Sequence, residues 1–108
     1  MSASNKDILT EALLSWAGVT VEPHRFGGIE FAFEGKEIGH LHGDQLVDAP
    51  LSKAMRDECV AAGKAEPHHI FPESGWVSIY LNSEAEVAGA LEILRMNYER
   101  LTKGRTKP

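Results

Sequence analysis

The sequence has only one cysteine, Cys59, and no apolar run that approaches the length of a membrane span. A single cysteine excludes an internal disulfide, and a transmembrane helix needs about 20 consecutive apolar residues. The first residues also lack the charged, apolar and small-residue segments of a secretory signal peptide. From these absences we expect a cytoplasmic protein that does not insert into a membrane.

Basic residues are also scarce. The chain has 11 Lys and Arg residues against 16 Asp and Glu, which gives a net charge of −5 at pH 7. A nucleic-acid-binding surface needs Lys and Arg to displace counterions from phosphates, so the composition argues against nucleic acid as a partner. The one basic cluster, Lys103, Arg105 and Lys107, belongs to a segment, 103–108, that we expect to be a frayed tail.

The rest of the composition is ordinary for one globular domain. With 108 residues, of which 43% are hydrophobic and 25% charged, we predict a single domain, 1–108. A strand expected at Val19–Glu22 has an edge that could pair with a second chain. The sequence therefore leaves both a monomer and a dimer open.

Three segments have the apolar periodicity of amphipathic helices. The first is Ser4–Ala17 and the second is Ser52–Ala62. The third begins with a capping box at Ser83, in which a serine and a glutamate three residues later satisfy free backbone amides. Its apolar stripe comprises Val87, Leu91, Leu94, Tyr98 and Leu101. Such a stripe must cover a sheet or another helix.

Four segments alternate apolar and polar residues as half-buried strands do. They are Val19–Glu22, Ile29–Phe33, Ile38–Gly43 and Trp76–Leu81. Pro23 follows the first, which predicts an edge strand. Asp44–Pro50, with the sequence DQLVDAP, is predicted to be a loop, and EPHHIFPESG, 66–75, a loop or an irregular strand stiffened by its prolines.

The predicted element order is α-β-β-β-α-β-α. Strands joined by hairpins form an antiparallel sheet, and amphipathic helices must cover its apolar face. The sequence therefore predicts an α+β fold, with one antiparallel sheet and helices packed on one face.

The motif His-Leu-His, which contains His40 and His42, is the sharpest candidate for a site. Period two places both imidazoles on the same face of a strand, where they can converge on one metal ion or one anionic group. The strand that starts at Trp76 is expected to lie beside this one, and the loop before it carries His68 and His69. Because adjacent residues of an extended chain point apart, we expect at most one of these two histidines to join the pair, which makes a cluster of three histidines possible.

The hairpin register decides which face carries the histidines. With a two-residue loop, Gly35–Lys36, Phe31 opposes His40, and the histidines share a face with the aromatic residues. With a three-residue loop, Gly35–Glu37, the register changes by one and the histidines join Glu30 on the other face. We favour the second because it separates apolar from polar residues, but the sequence leaves both open.

These placements predict a polar pocket between the histidine strand and the later loop. The candidate ligand-binding residues are His40, His42, His68, His69, Ser74, Trp76 and Arg25. A zinc-type metal, which takes three or four N, S or O ligands, would be held by His40, His42, His69 and Asp44. Asp48 also follows within reach of the histidine pair.

No motif identifies catalytic residues or an organic cofactor. Ser74 lies in ESGW, which is not the G-x-S-x-G of a nucleophile elbow. Cys59 occupies an apolar position of a predicted helix and is expected to be a buried thiol. Gly27 and Gly28 lack the phosphate-loop pattern, and there is no flavin or nucleotide motif.

Several motifs together resemble a known family. They are His-x-His at 40–42, a Pro-Leu segment followed by Arg at 50–56, Ala-Gly-x-Ala-x-x-His-His at 62–69, Pro-x-Ser-Gly-Trp-Val at 72–77 and Leu-x-x-x-Tyr-x-Arg at 94–100. From Ile29 to Leu101 the chain resembles small bacterial proteins that carry a luciferase-domain label, some of them titled phospholipase. The resemblance implies a shared site at the histidines, Ser74 and Trp76, and no established activity.

A weaker likeness, in shape, is to the YjbR/MmcQ-like double-wing fold. It implies DNA binding for some relatives, and this acidic chain departs from that pattern. We favour a binding module whose histidine-lined polar pocket holds a small or anionic ligand. The alternatives are a metal-dependent enzyme that uses the histidine cluster and an interaction or structural protein without a pocket.

Overall fold

The computed structural model describes residues 4–24 and 27–103. The helices and strands of these residues are α1 Asn5–Leu14, β1 Val19–Pro23, β2 Ile29–Phe33, β3 Lys36–His42, β4 Leu46–Pro50, α2 Lys53–Ala61, β5 Glu66–Pro67, β6 Trp76–Tyr80 and α3 Glu84–Lys103. The strands form one sheet in the order β1-β2-β3-β4-β6-β5, and every neighbouring pair is antiparallel. The predicted α+β class and the predicted edge position of β1 are confirmed.

Strand β4 corrects the sequence prediction, which placed these residues in a loop. It lies between β3 and β6, so β6 pairs with β4 and not with the histidine strand. Val47, Asp48 and Ala49 are all buried. An aspartate is almost never fully buried unless it is paired, so the burial of Asp48 requires partners for its carboxylate.

One face of the sheet is apolar and packs against α3. Its buried residues include Phe31, Leu41, Val47 and Ile79. Gly39 lies on this face, where a Cβ atom would approach Leu94 of α3 to 2.7 Å. Helix α1 packs against β1 and α3. The sheet and these two helices therefore share one core.

Helix α3 confirms the predicted apolar stripe. Val87, Leu94 and Tyr98 are buried, whereas Leu91 and Leu101 are partly buried. The hydroxyl of Ser83 accepts a hydrogen bond from the Glu86 amide at 3.2 Å, as a capping serine should. The Glu86 carboxylate accepts from the Asn82 amide at 2.8 Å, one residue before the capping serine.

Two predicted segments near the ends of the chain have different bounds in the structure. Helix α1 ends at Leu14 and not at the predicted Ala17, because a turn follows it. Lys103 belongs to α3, and the rest of the predicted tail, 104–108, lies outside the described residues. Within 4–24 and 27–103, none of the helices is long and apolar enough to cross a membrane.

The β2–β3 hairpin has a two-residue turn, Glu34–Gly35, so neither of the two predicted registers is observed. Both turn residues have positive φ, 51° and 81°, as the tight turns that suit twisted hairpins require. Glu30 pairs with His40. The histidines therefore lie on the Glu30 face, which is the face we favoured from the sequence.

A β-bulge in β3 brings about this outcome. Ala32 pairs with Glu37, but Phe31 pairs with Gly39, which leaves Ile38 as an extra residue without a partner on β2. Side chains alternate along a strand, so the extra residue turns Glu37 to the same face as the histidines.

The second face of the sheet is polar. One row across all six strands consists of Glu22, Glu30, His40, Asp48, Ser78 and Glu66. Asp48 and Ser78, near the middle of this row, are buried. A buried polar row needs partners, and these form the candidate site.

Candidate metal centre

Asp48 lies at the centre of the polar face, with its side chain 1% exposed. Its Oδ1 accepts a hydrogen bond from the Ser78 hydroxyl at 2.7 Å. Four histidine Nε2 atoms surround its Oδ2: His42 at 3.0 Å, His69 at 3.1 Å, His68 at 3.3 Å and His40 at 3.5 Å. An unpaired buried charge is very costly, so these contacts are what allow the carboxylate to be buried.

Two distant parts of the chain supply the imidazoles. Strand β3 supplies His40 and His42, whose Nε2 atoms are 3.0 Å apart. The segment after β5 supplies both His68 and His69, whose stacked rings have centroids 4.4 Å apart. The expectation that only one of them would join was wrong. It assumed an extended chain, whereas β5 ends at Pro67 and the backbone bends at His69.

Glu37 fixes the orientation of the His40 ring. Its Oε2 lies 2.5 Å from Nδ1 of His40, and the contact is the product of the bulge between the two residues. A carboxylate can only accept a hydrogen bond, so Nδ1 carries the proton. In neutral His40 the Nε2 atom therefore presents its lone pair to the cluster, as in a metal-binding histidine held by a second carboxylate.

His68 has the opposite arrangement. Its Nδ1 accepts hydrogen bonds from the backbone amides of Ile70 and Phe71, at 3.1 and 3.0 Å. The proton of the neutral ring must then lie on Nε2, which faces Asp48. His68 is therefore a hydrogen-bond donor to the carboxylate and not a nitrogen ligand.

The charges of the cluster depend on one another. Burial alone would lower the pKa of His40, but hydrogen bonds with Asp48 and Glu37 raise that pKa to about 9. Burial would raise the pKa of Asp48, but hydrogen bonds with His40 and Ser78 hold that pKa well below its usual value. Burial lowers the pKa of His68, against the attraction of Asp48. Between these two histidines, His68 is thus the one whose imidazole stays neutral more readily.

Three atoms of the cluster form a triangle suited to one metal ion. They are Nε2 of His40, Nε2 of His42 and Oδ2 of Asp48, and their separations are 3.0, 3.0 and 3.5 Å. Ligand atoms about 2.1 Å from one ion are about 3 Å apart in octahedral and about 3.4 Å apart in tetrahedral coordination. His69 and His68 form a second close group with Asp48, around the same oxygen.

A cavity of about 380 Å³ opens onto these atoms. Its wall includes Ile70 and Phe71, which are 64% and 58% exposed, and Trp76. The polar part of its lining consists of the histidine cluster, Asp48 and Glu37. Apolar walls around a few convergent polar groups are typical of small-molecule sites.

His24, which we did not select from the sequence, also lines this cavity. Its ring stacks on His40 with centroids 4.1 Å apart and an angle of 23° between the planes. Its ligand atoms lie close to those of His40 and Glu37. Imidazole lone pairs lie in the ring plane, so two stacked rings do not point at one ion. His24 instead covers the pair that Glu37 forms with His40.

The other predicted residues have different places. The Asp44 carboxylate accepts hydrogen bonds from the amides of Asn5 and Lys6 at the start of α1, outside the cluster. The Ser74 hydroxyl accepts from the Trp76 amide and donates to a loop carbonyl. Arg25 lies outside the described residues. In place of Asp44, the structure brings Asp48 to the histidines.

The fold and this cluster define a class: a small α+β domain whose polar sheet face carries histidines around a buried carboxylate, beside a cavity. The family model described as Luciferase domain matches residues 35–97, and the chain belongs to this family. The matched segment contains the cluster from Glu37 to Trp76 but not His24. No curated protein matches the chain, and no solved structure does. The double-wing likeness therefore stays a prediction.

Proposed function

We propose that this chain binds one divalent transition-metal ion at His40, His42 and Asp48. The observation that carries the proposal is the triangle of two imidazole Nε2 atoms and one carboxylate oxygen, with sides of 3.0, 3.0 and 3.5 Å. Two histidines and one carboxylate are a set that zinc and iron both accept. Glu37 supports the set by orienting His40.

The charge of the site favours a cation over the anionic ligand that the sequence suggested. Two carboxylates, Asp48 and Glu37, lie among imidazoles of which His40 carries a proton near neutral pH. The net charge of these groups is negative when the other imidazole rings are neutral. An ion that displaces the His40 proton keeps the Asp48 carboxylate paired with a positive charge, whereas a bound anion would meet Asp48 directly.

Three protein ligands leave some coordination positions of the ion free. His40, His42 and Asp48 line the cavity, so these free positions can face it. A closed structural zinc site uses four protein ligands, whereas sites that bind exogenous molecules keep an open position. We therefore assign the cavity to a small polar ligand that coordinates the ion. The two hypotheses from the sequence, a binding module and a metal-dependent enzyme, then use the same site. The open coordination position is what supports the enzyme hypothesis.

The experiment is a metal-binding measurement on protein purified without a histidine tag. After equilibrium dialysis against Zn²⁺, Co²⁺, Ni²⁺, Mn²⁺ or anaerobic Fe²⁺, elemental analysis should give about one ion per chain for at least one metal. His42→Ala and Asp48→Asn should each lose this ion. Asp57→Asn is the matched control, because Asp57 is an exposed carboxylate on α2.

Substoichiometric metal in the wild-type chain for every ion would contradict the proposal. So would an ion that the wild type and His42→Ala bind equally. Circular dichroism of each variant separates loss of the ligand from loss of the fold, and His42 is one-third exposed, at 34%. Its removal should therefore leave the fold intact.

A further inference from the structure

The bulge residue Ile38 has no partner strand residue on either side. The bulge is nevertheless what places Glu37 and His40 on one face, three positions apart. Something other than the ladder must hold this irregular backbone in place, because an unpaired buried carbonyl is costly.

Asn97 of α3 supplies that contact. It is fully buried, and its Nδ2 donates a hydrogen bond to the Ile38 carbonyl at 2.9 Å. It occupies the face of α3 that otherwise packs apolar residues, including Ile93 and Leu94, against the sheet. A polar residue at such a position usually serves a specific partner.

Arg100 extends the contact to the strand that carries Asp48. Its Nε and Nη2 donate to Oδ1 of Asn97 at 3.0 and 2.8 Å. The same Nη2 donates to the carbonyl of Pro50 at 3.0 Å. Pro50 ends β4, two residues after Asp48. One hydrogen-bonded pair on α3 thus holds the bulge of β3 and the end of β4 from behind the sheet.

We propose that Asn97 and Arg100 are positioning residues of the metal centre, which act through the bulge to keep Glu37, His40 and Asp48 in register. The inference rests on the proposed function for its metal readout. A purely structural role would lower stability without a specific effect on the centre. The two roles therefore differ in what happens to metal affinity at equal loss of stability.

The main variant is Asn97→Leu, which keeps the size of the side chain and removes the donor. Its metal affinity should fall about 10-fold or more, the range typical of groups that orient ligands. Leu13→Ala is the matched control, because Leu13 is fully buried in α1, away from the site. Its affinity should stay within about 3-fold of the wild type even if urea unfolding shows an equal loss of stability.

A double-mutant cycle shows whether Asn97 acts through Glu37. Glu37→Gln keeps a hydrogen-bond acceptor for His40 but removes the charge. If the two residues belong to one chain of contacts, the metal affinity of the double variant should lie within about 3-fold of the affinity of the weaker-binding single variant. If the fold-losses in metal affinity of the two single variants multiply in the double variant, the residues act independently and the inference is overturned. It is also overturned if Asn97→Leu binds metal as tightly as the control variant does.

Arg100→Met keeps the test open if Asn97→Leu does not fold, because Arg100 is exposed. Its affinity should fall about 3-fold or more, and an unchanged affinity would count against the inference. Proton NMR supplies a metal-free readout: the proton between His40 Nδ1 and Glu37 should give a downfield resonance that His40→Ala lacks. Asn97→Leu should weaken or lose it, and Leu13→Ala should keep it.

The two proposals fail separately. If the wild type binds no metal, the proposed function fails, and the resonance alone decides the role of Asn97. If the wild type binds metal and Asn97→Leu keeps both the resonance and the affinity, only the positioning role fails.

Discussion

His40 and Asp48 lie directly opposite each other on neighbouring antiparallel strands, with His40 Nε2 3.5 Å from Asp48 Oδ2. His42, two residues further along β3, reaches the same oxygen at 3.0 Å. The carboxylate is therefore shared by two imidazoles that a strand places on one face. Its burial depends on them, and the following predictions test that dependence.

Asp48→Asn should abolish metal binding, with a loss of about 100-fold or more in affinity, because the amide oxygen is neutral and a poorer ligand. The amide is close in size to the carboxylate, so the fold should be retained. Isothermal titration with the metal found by dialysis measures the effect. An affinity within about 3-fold of the wild type would show that Asp48 is not a ligand.

The stability of the metal-free protein should fall as pH rises from neutral to alkaline. Hydrogen bonds raise the pKa of His40 from 6.5 to about 9 on folding. A pKa raised by folding contributes stability that is fully present below the unfolded value and is lost as pH rises through the folded value. Urea unfolding between pH 6 and 10, in the presence of a chelator, should show this loss. His40→Gln should remove that part of the pH dependence.

At acid pH the dependence of stability on pH has the opposite direction. The pKa of Asp48 is held below its usual value, so its contribution is present above that usual value and is lost as pH falls below it. The metal-free wild type should therefore lose more stability on acidification than Asp48→Asn does. Parallel slopes for the two proteins below pH 4 would contradict the pairing of Asp48 in the folded state.

His68 should be neutral near pH 7, with its proton on Nε2. Burial lowers its pKa, and two backbone amides occupy Nδ1. Two-bond ¹H–¹⁵N correlation spectra of the imidazoles identify the tautomer directly. The Nδ1–H tautomer would contradict the role of His68 as a donor to Asp48. A large change in the His68 signals when metal is added, of the kind that ligation would cause in His42, would contradict it as well.

Metal binding should release a proton near neutral pH, because the ion must displace the proton that His40 carries. Calorimetric titrations in two buffers with different ionisation enthalpies count the protons released. Affinity should increase with pH up to about 9, the pKa of His40. A pH-independent affinity would mean that His40 is not a ligand.

Much of this arrangement followed from the sequence. The spacing of His40 and His42 placed both rings on one strand face, and the separation of polar from apolar residues selected the correct face. The apolar stripe of α3 was predicted to cover a sheet or another helix, and α3 packs against the sheet. These features depend only on the side-chain periods of strands and helices.

The rest depended on tertiary contacts. Asp48 was noted near the histidines, but Asp44 was placed in the metal set. An aspartate inside a buried strand contradicts local propensity, so only the tertiary contacts show that Asp48 is the carboxylate at the site. Glu37 was missed because an odd spacing from His40 puts two residues on opposite faces unless a bulge intervenes. The carbonyl of the bulge residue Ile38 accepts a hydrogen bond from Asn97, 59 residues away in the chain, and no local pattern reveals this contact.

The most direct test is an anomalous-diffraction map of crystals of the tag-free protein loaded with its preferred metal. The account predicts one anomalous peak about 2.0–2.3 Å from Nε2 of His40, Nε2 of His42 and Oδ2 of Asp48, with a further position facing the cavity. If the metal is present in the crystallisation solution but the map shows no peak among these three atoms, the account is contradicted.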